Sequence, residues 1–179
     1  MWQSSQPNGG ALPTVHLQPS QLLVAKHPTL FVTILGSCVA VCLYDRKRKV
    51  GAMCHSLLPK SKANAANGEC SRFVDCSIHS MVRELAEQCG SLPVDLEAKV
   101  FGGARMFNST SEERGNRLPR VGTENVKAAQ NVLRQYGMQV SVEEVGAAGG
   151  YKIFFESHTG KVFCKLLRSP DRPSLFADH

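Results

Sequence analysis

A cysteine at a glycine-marked turn and a histidine in the next apolar run form the most reactive pair in this sequence. Leu30 to Leu35 is a short apolar run that ends in Gly36-Ser37-Cys38, and His55 lies seventeen residues after that cysteine. Cysteine plus histidine is the smallest side-chain set that attacks an amide carbonyl at neutral pH. The thiolate is the nucleophile, and the imidazole takes the thiol proton and later returns it to the departing nitrogen. Gly36 lets the backbone turn sharply and come close to a substrate. The amides of Ser37 and Cys38 can then face the oxygen of a tetrahedral intermediate. Ser37 is the weaker nucleophile, because the G-x-S-x-G elbow is missing. Cys54 adjoins His55 but alternates to the other strand face and reads as core. Taken singly, a cysteine in an apolar run packs as a small hydrophobe, and a lone histidine is more often a hydrogen-bonded core residue. Only their pairing argues for chemistry.

The elements around them supply that pairing. Cys38 to Tyr44 and Val50 to Leu58 are two apolar runs around the charged loop Asp45 to Lys49, which predicts a central hairpin. Cys38 then begins one strand and His55 ends its partner, and antiparallel pairing sets the start of the first beside the end of the second. Upstream, Val15 to Leu17 and Leu22 to Ala25 read as a first hairpin around Pro19-Ser20. His27-Pro28 breaks the chain before the buried strand Leu30 to Leu35. Val74, Ile78, Met81, Val82, Leu85 and Cys89 recur at helical spacing, with Gly90 as the stop. Leu96 to Val100 alternates as a strand before Phe101-Gly102-Gly103-Ala104. Thr123 is placed as the N-cap of a second amphipathic helix that runs to Gly137. Gln139 to Val145, Tyr151 to Glu156 and Lys161 to Leu167 complete the strands, the last two as a hairpin. Strands early and late with helices between predict an α+β fold with mixed sheets rather than a βαβ repeat.

Size and composition set the class. At 179 residues the chain suits one well-buried core. Residues 1–13 read as a disordered lead, 14–167 as one catalytic domain and 168–179 as a loose tail. No apolar stretch approaches the roughly 20 residues of a membrane span, and Met1-Trp2-Gln3-Ser4 lacks a signal-peptide start. A cytoplasmic protein is expected. Seven cysteines, an odd number and several inside apolar runs, read as free thiols. Cys70, Cys76 and His79 are close, but without a C-x-x-C pair they do not make a metal site. The net charge of +6 comes largely from Arg46-Lys47-Arg48-Lys49 and from Arg114, Arg117 and Arg120. The first cluster reads as a solvated hairpin tip, and a weaker reading makes it a dock for acidic helices. Sparse aromatics argue against a nucleic-acid face. The glycines at 102–103 and 146–150 fit no phosphate-loop pattern and read as tight turns.

The ordered motifs resemble a known family. Leu35-Gly-Ser-Cys-Val-Ala-Val41, then Gly51-Ala-Met-Cys-His55 with Leu58-Pro59, are similar to the signature of CheD, the chemoreceptor glutamine deamidases of bacterial chemotaxis. Val100-Phe-Gly-Gly-Ala104 with Met106, Gly122-Thr-Glu-Asn-Val126 and Thr159-Gly-Lys-Val162 follow in the family's order. The resemblance spans residues 14–167. It implies hydrolysis of selected glutamine side chains on methyl-accepting chemotaxis receptors to glutamate and ammonia. It also implies a Cys/His thiol mechanism, which requires no cofactor or metal, and a fold akin to toxin-type cysteine deamidases, with packed mixed sheets flanked by helices. Cys38 matches the family nucleophile and His55 its base. A threonine on the preceding strand completes the family's triad, and Thr33 is the nearest match, although some members carry it where this chain has Val32. Receptors are the implied partners, and some relatives also bind a CheC-type phosphatase. Two rivals stand beside this reading. One is a non-catalytic module that binds receptors or such a phosphatase, and the other is a different thiol hydrolase.

Overall fold

The computed structural model describes residues 11–61, 69–105 and 121–167. Met106, the polar stretch Asn108 to Arg120 and the tail 168–179 lie outside them, as do residues 1–10 and most of the loop after Lys60.

Two mixed sheets and a helical layer stack in the order helices, five strands, four strands. The first sheet runs β2 (Gln21–Ala25), β5 (Val50–Ser56), β4 (Val39–Asp45), β6 (Leu96–Gly102), β7 (Val140–Val145). The second runs β1 (Thr14–His16), β3 (Leu30–Leu35), β8 (Tyr151–Glu156), β9 (Val162–Leu166). Helices α1 (Val74–Cys89) and α2 (Val121–Gln135) cover the outer face of the five-stranded sheet. The α+β class with mixed sheets is therefore as the sequence predicts. β6 and β7 pair in parallel across α2, and the other contacts of that sheet are antiparallel.

Alternation along β4 and β5 builds two cores from one sheet. Val39, Val41 and Leu43 face the helices with Ala52 and Cys54. Ala40, Cys42 and Tyr44 face the second sheet with Met53, and meet Phe31, Leu35, Ile153 and Phe155 there. Both faces of β4 and β5 are covered, so both strands are wholly buried, which explains their near-continuous apolar runs. Leu12 adds a small third cluster with Leu30 and Val32 on the outer side of the second sheet.

Three expectations change. The first hairpin does not form: β1 pairs with β3 in parallel, whereas β2 pairs with β5 in the other sheet. Pro19-Ser20 thus marks a crossing between sheets, and local turn signals do not distinguish the two outcomes. The second helix already includes Val121 and Gly122, so Thr123 sits inside its first turn and is not the cap. Cys70 and Cys76 are joined in a disulfide, whereas Cys38, Cys42, Cys54, Cys89 and Cys164 are free. A short 3-10 turn over Cys70–Arg72 leads into α1 and brings the two Cα atoms to 5.2 Å, a proximity that cysteine spacing alone does not reveal. The predicted stop of α1 is present, with Gly90 at φ 68°. No helix among the described residues is long and apolar enough to cross a membrane.

The basic tip between β4 and β5 is largely ion-paired. Lys47 and Arg48 both bridge to Asp95, Arg48 also binds Asp45, and Arg46 lies 3.9 Å from Glu97. It sits at the end of the hairpin remote from His55, about six residues or ~20 Å along the strand.

Candidate functional site

The chain changes sheets at Gly36-Ser37-Cys38. β3 belongs to the four-stranded sheet and β4 to the five-stranded one, so this turn is the corner of the sandwich. Every carbonyl in it is held from outside. The Ala104 N–H donates to Gly36 at 2.9 Å and the Gly103 N–H to Cys38 at 2.7 Å. Asn125 Nδ2 donates to Ser37 at 3.0 Å. Gly102 at the end of β6 and Gly103 after it permit this approach. A Cβ on Gly102 would stand 2.3 Å from the Cys38 carbonyl oxygen, and Gly102 and Gly103 take φ values of 106° and 60°. Sequence reading treats them as a tight turn; they are also the clamp on the cysteine.

His55 is fixed from three sides. Its main chain pairs with Gln21 in β2 and Ala40 in β4, and its carbonyl accepts from the Ser20 N–H at 2.8 Å. Its side chain shares the parity of Met53, so it enters the gap between the sheets and is 3% exposed. There Nδ1 lies 2.8 Å from Thr33 Oγ1, across from the other sheet. The Thr33 hydroxyl donates its proton to the Leu17 carbonyl at 2.8 Å, so toward Nδ1 the oxygen is an acceptor. Nδ1 therefore carries the ring proton, and Nε2 keeps the lone pair. Burial pushes His55 below its ordinary pKa, opposed in part by the Leu17 carbonyl. The ring is thus neutral near pH 7 and in the tautomer of a base.

On the far side of β5 the same strand end is tied down by hydroxyls. Ser56 Oγ and Ser77 Oγ share a hydrogen bond at 2.7 Å, each oxygen lies 3.1 Å from the Ser71 carbonyl, and that carbonyl accepts from whichever hydroxyl does not donate to the other. Ser71 Oγ in turn donates to the Ser20 carbonyl at 2.5 Å. This buried chain links β5, α1 and the β1–β2 connection behind the histidine.

Thr33 and His55 are in direct contact, and Val32 points the other way, into the cluster of Leu12 and Leu30. Cys38 shares the parity of Ala40 and packs against the same inter-sheet core, so sulfur and imidazole lie on one face of the hairpin. Their hydrogen bond is not made: Nε2 is buried and without a partner among the described residues. Cys38 is half-buried, and burial raises its thiol above the ordinary 9.0, opposed by a bond to its own backbone. The pair therefore rests as neutral thiol and neutral imidazole rather than as an ion pair. Such bonds commonly tighten only when substrate binds. Cys54 lies on the helix side as its alternation predicts, with burial pushing its thiol to about 11.

The residue that sequence reasoning missed is Asn125. It is wholly buried, and its Nδ2 also donates to the Leu57 carbonyl at 2.9 Å. A signal was present: position 125 falls on the apolar stripe of α2 with Val126, Ala129 and Val132, where a polar residue needs partners.

Comparison with known proteins gives a consistent set of relatives. The family profile described as CheD chemotactic sensory transduction matches residues 57–166. The chain is 37% identical over 163 residues to the probable chemoreceptor glutamine deamidase CheD 2 of Geobacter sulfurreducens, covering 91% of this chain and 96% of that one. It is 38% identical over 140 residues to the probable chemoreceptor glutamine deamidase CheD of Thermococcus kodakarensis, covering 78% and 84%. The counterpart in Pyrococcus horikoshii is 40% identical over 129 residues, covering 72% and 76%. Among solved structures, the hypothetical protein YfiH of Bacillus licheniformis aligns with a TM-score of 0.43 and 16% identity, over 70% of this chain and 50% of that one.

Proposed function

The chain belongs to the CheD family of chemotactic sensory transduction proteins, and from that membership and the site we infer that it deamidates glutamine side chains of chemoreceptors. The relatives carry that activity in their names. The site supports the chemistry through one observation above the rest. Thr33 and the Leu17 carbonyl hold His55 with its proton on Nδ1, leaving Nε2 as the base on the face that carries Cys38.

The reaction then runs as a thiol hydrolysis. His55 Nε2 takes the Cys38 proton as sulfur attacks the glutamine Cδ, because the resting thiol is too weak an acid to ionise beforehand. The carbonyl oxygen becomes an oxyanion, met by backbone N–H groups at the Gly36-Ser37-Cys38 corner. His55 hands the proton to the nitrogen, ammonia leaves, and a thioester remains on Cys38. Water, deprotonated by the same imidazole, attacks the thioester, releases glutamate and restores the thiol. Thr33 acts through His55, holding its ring plane and tautomer. No step calls for a cofactor. The partners follow from the substrate: cytoplasmic segments of methyl-accepting receptors, where a flexible carboxamide can reach the corner.

The test is to incubate the protein with a receptor cytoplasmic fragment and map its peptides by mass. Replacing –NH2 by –OH adds about one dalton at particular glutamines, with ammonia released in equal amount. A fragment that comes back unchanged, cleaved or cross-linked to amines refutes the assignment.

A further inference from the structure

Asn125 carries a cost that its position does not require. Its Nδ2 donates both protons, to Ser37 and to Leu57, while Oδ1 is buried with no donor among the described residues. Both partners are carbonyls, so the nitrogen must face them and the amide orientation is fixed by chemistry. Asparagine is a poor helix former, and an orphaned buried carbonyl is destabilising. An apolar residue on this stripe would avoid both penalties.

The geometry of the peptide unit says what the asparagine achieves. In a trans peptide the C=O of one residue and the N–H of the next point in opposite directions. Holding the Ser37 carbonyl toward α2 therefore aims the Cys38 N–H away from α2. The bonds from Ala104 and Gly103 do the same for the N–H groups of Ser37 and Val39. Of these three restraints, only the one from Asn125 is made by a side chain.

We propose that Asn125 is a positioning residue for oxyanion binding: its Nδ2 holds the Ser37 carbonyl so that the Cys38 N–H meets the carbonyl oxygen under attack. The second bond, to Leu57, references the segment leaving His55 to the same amide, so nucleophile turn and base strand move together. This rests on Cys38 being the nucleophile of the proposed reaction.

Two reagents acting on Cys38 in the full chain separate this role from a structural one. With iodoacetamide the sulfur displaces iodide at a saturated carbon, and no oxyanion forms. With p-nitrophenyl acetate the sulfur attacks a carbonyl, a tetrahedral oxyanion forms, p-nitrophenolate leaves, and an S-acetyl group remains. Both adducts are assigned to Cys38 by peptide mass. In Asn125→Asp, which keeps the shape but presents acceptors, acetylation slows roughly tenfold to a hundredfold while alkylation stays within about twofold, against the ~10²–10³ for deleting a donor outright. Asn125→Ser keeps one donor and buries no carboxylate. It gives the same split, smaller, should the aspartate prevent folding. If both rates fall together in a folded variant, or neither changes, the proposal is overturned, because a structural residue moves both. Receptor deamidation is measured alongside. If the Asn125 split is seen but receptor glutamines stay intact, the substrate reading fails and this one stands. A wild-type Cys38 that p-nitrophenyl acetate does not acylate ends both.

Discussion

Two corners of this molecule carry a cysteine and a histidine, and only one combines a free thiol with a buried imidazole. At the start of α1, Cys76 and His79 lie one helical turn apart, with Cys70 close by. There the two sulfurs are spent on each other, and His79 is exposed with Nδ1 2.7 Å from the Tyr136 hydroxyl. At the sandwich corner, Cys38 keeps a free thiol with some access to solvent. His55 is buried there, with one ring nitrogen fixed by Thr33 and the other left open. The residue types are the same in both places. The difference lies in a thiol left free, in the burial of the imidazole, and in a hydroxyl partner whose own proton is committed to a backbone carbonyl.

Substitution at the two corners tests that contrast most directly. Cys38→Ala and His55→Ala each remove ammonia release from a receptor fragment, a fall on the order of 10⁴-fold or more. His79→Ala leaves the rate close to wild type. Comparable losses at His79 would mean that the two corners had been assigned the wrong way round. Thr33→Val comes next, since it keeps the branched shape and loses the hydroxyl. Its kcat drops roughly tenfold to a hundredfold, a part of the ~10²–10⁴ that a positioned base supplies. Thr33→Ser restores most of the rate, which a packing role would not.

The pH dependence sharpens the comparison further. Burial lowers the His55 pKa below its ordinary 6.5 and raises that of Cys38 above 9.0. A neutral base is required, so kcat/KM survives to lower pH than an ordinary histidine allows, and falls only below that range. Iodoacetamide alkylation of Cys38 rises with pH and is still climbing at pH 9. A plateau already reached near pH 6 would reveal a thiolate–imidazolium pair instead. The smallest effect belongs to the other corner. In the double variant Cys70→Ser/Cys76→Ser, a six-residue loop is no longer cross-linked, which costs at most ~2 kcal/mol. Melting falls by several degrees, and ammonia release is unchanged.

Much of the local structure around Cys38 and His55 is legible in the sequence. The β4–β5 hairpin follows from two apolar runs around a charged loop, and its register carries Cys38 and His55 to one face by parity alone. The α1 stop at Gly90 and the β8–β9 hairpin are equally local. What was not legible depends on contacts between elements far apart in the chain. Pro19-Ser20 signals a turn, but whether that turn closes a hairpin or leads to another sheet depends on which edges are free to pair. The Cys70–Cys76 bond needed the 3-10 turn that bends one cysteine toward the other. Asn125 stands 87 residues after Cys38, and only the packing of α2 on the sheet brings its amide to the Ser37 carbonyl.

The sequence by itself determined the residue types, the alternation that turns His55 inward, and the glycines that permit close approach after β6. These are properties of spacing along one strand or one turn, and they survive whatever the rest of the chain does. Tertiary structure decided that Thr33 rather than Val32 meets the imidazole, because that choice depends on which face of β3 looks across the gap. It also decided where the ring proton resides, since the Thr33 and Leu17 oxygens that fix it come from parts of the chain brought together only when the two sheets pack.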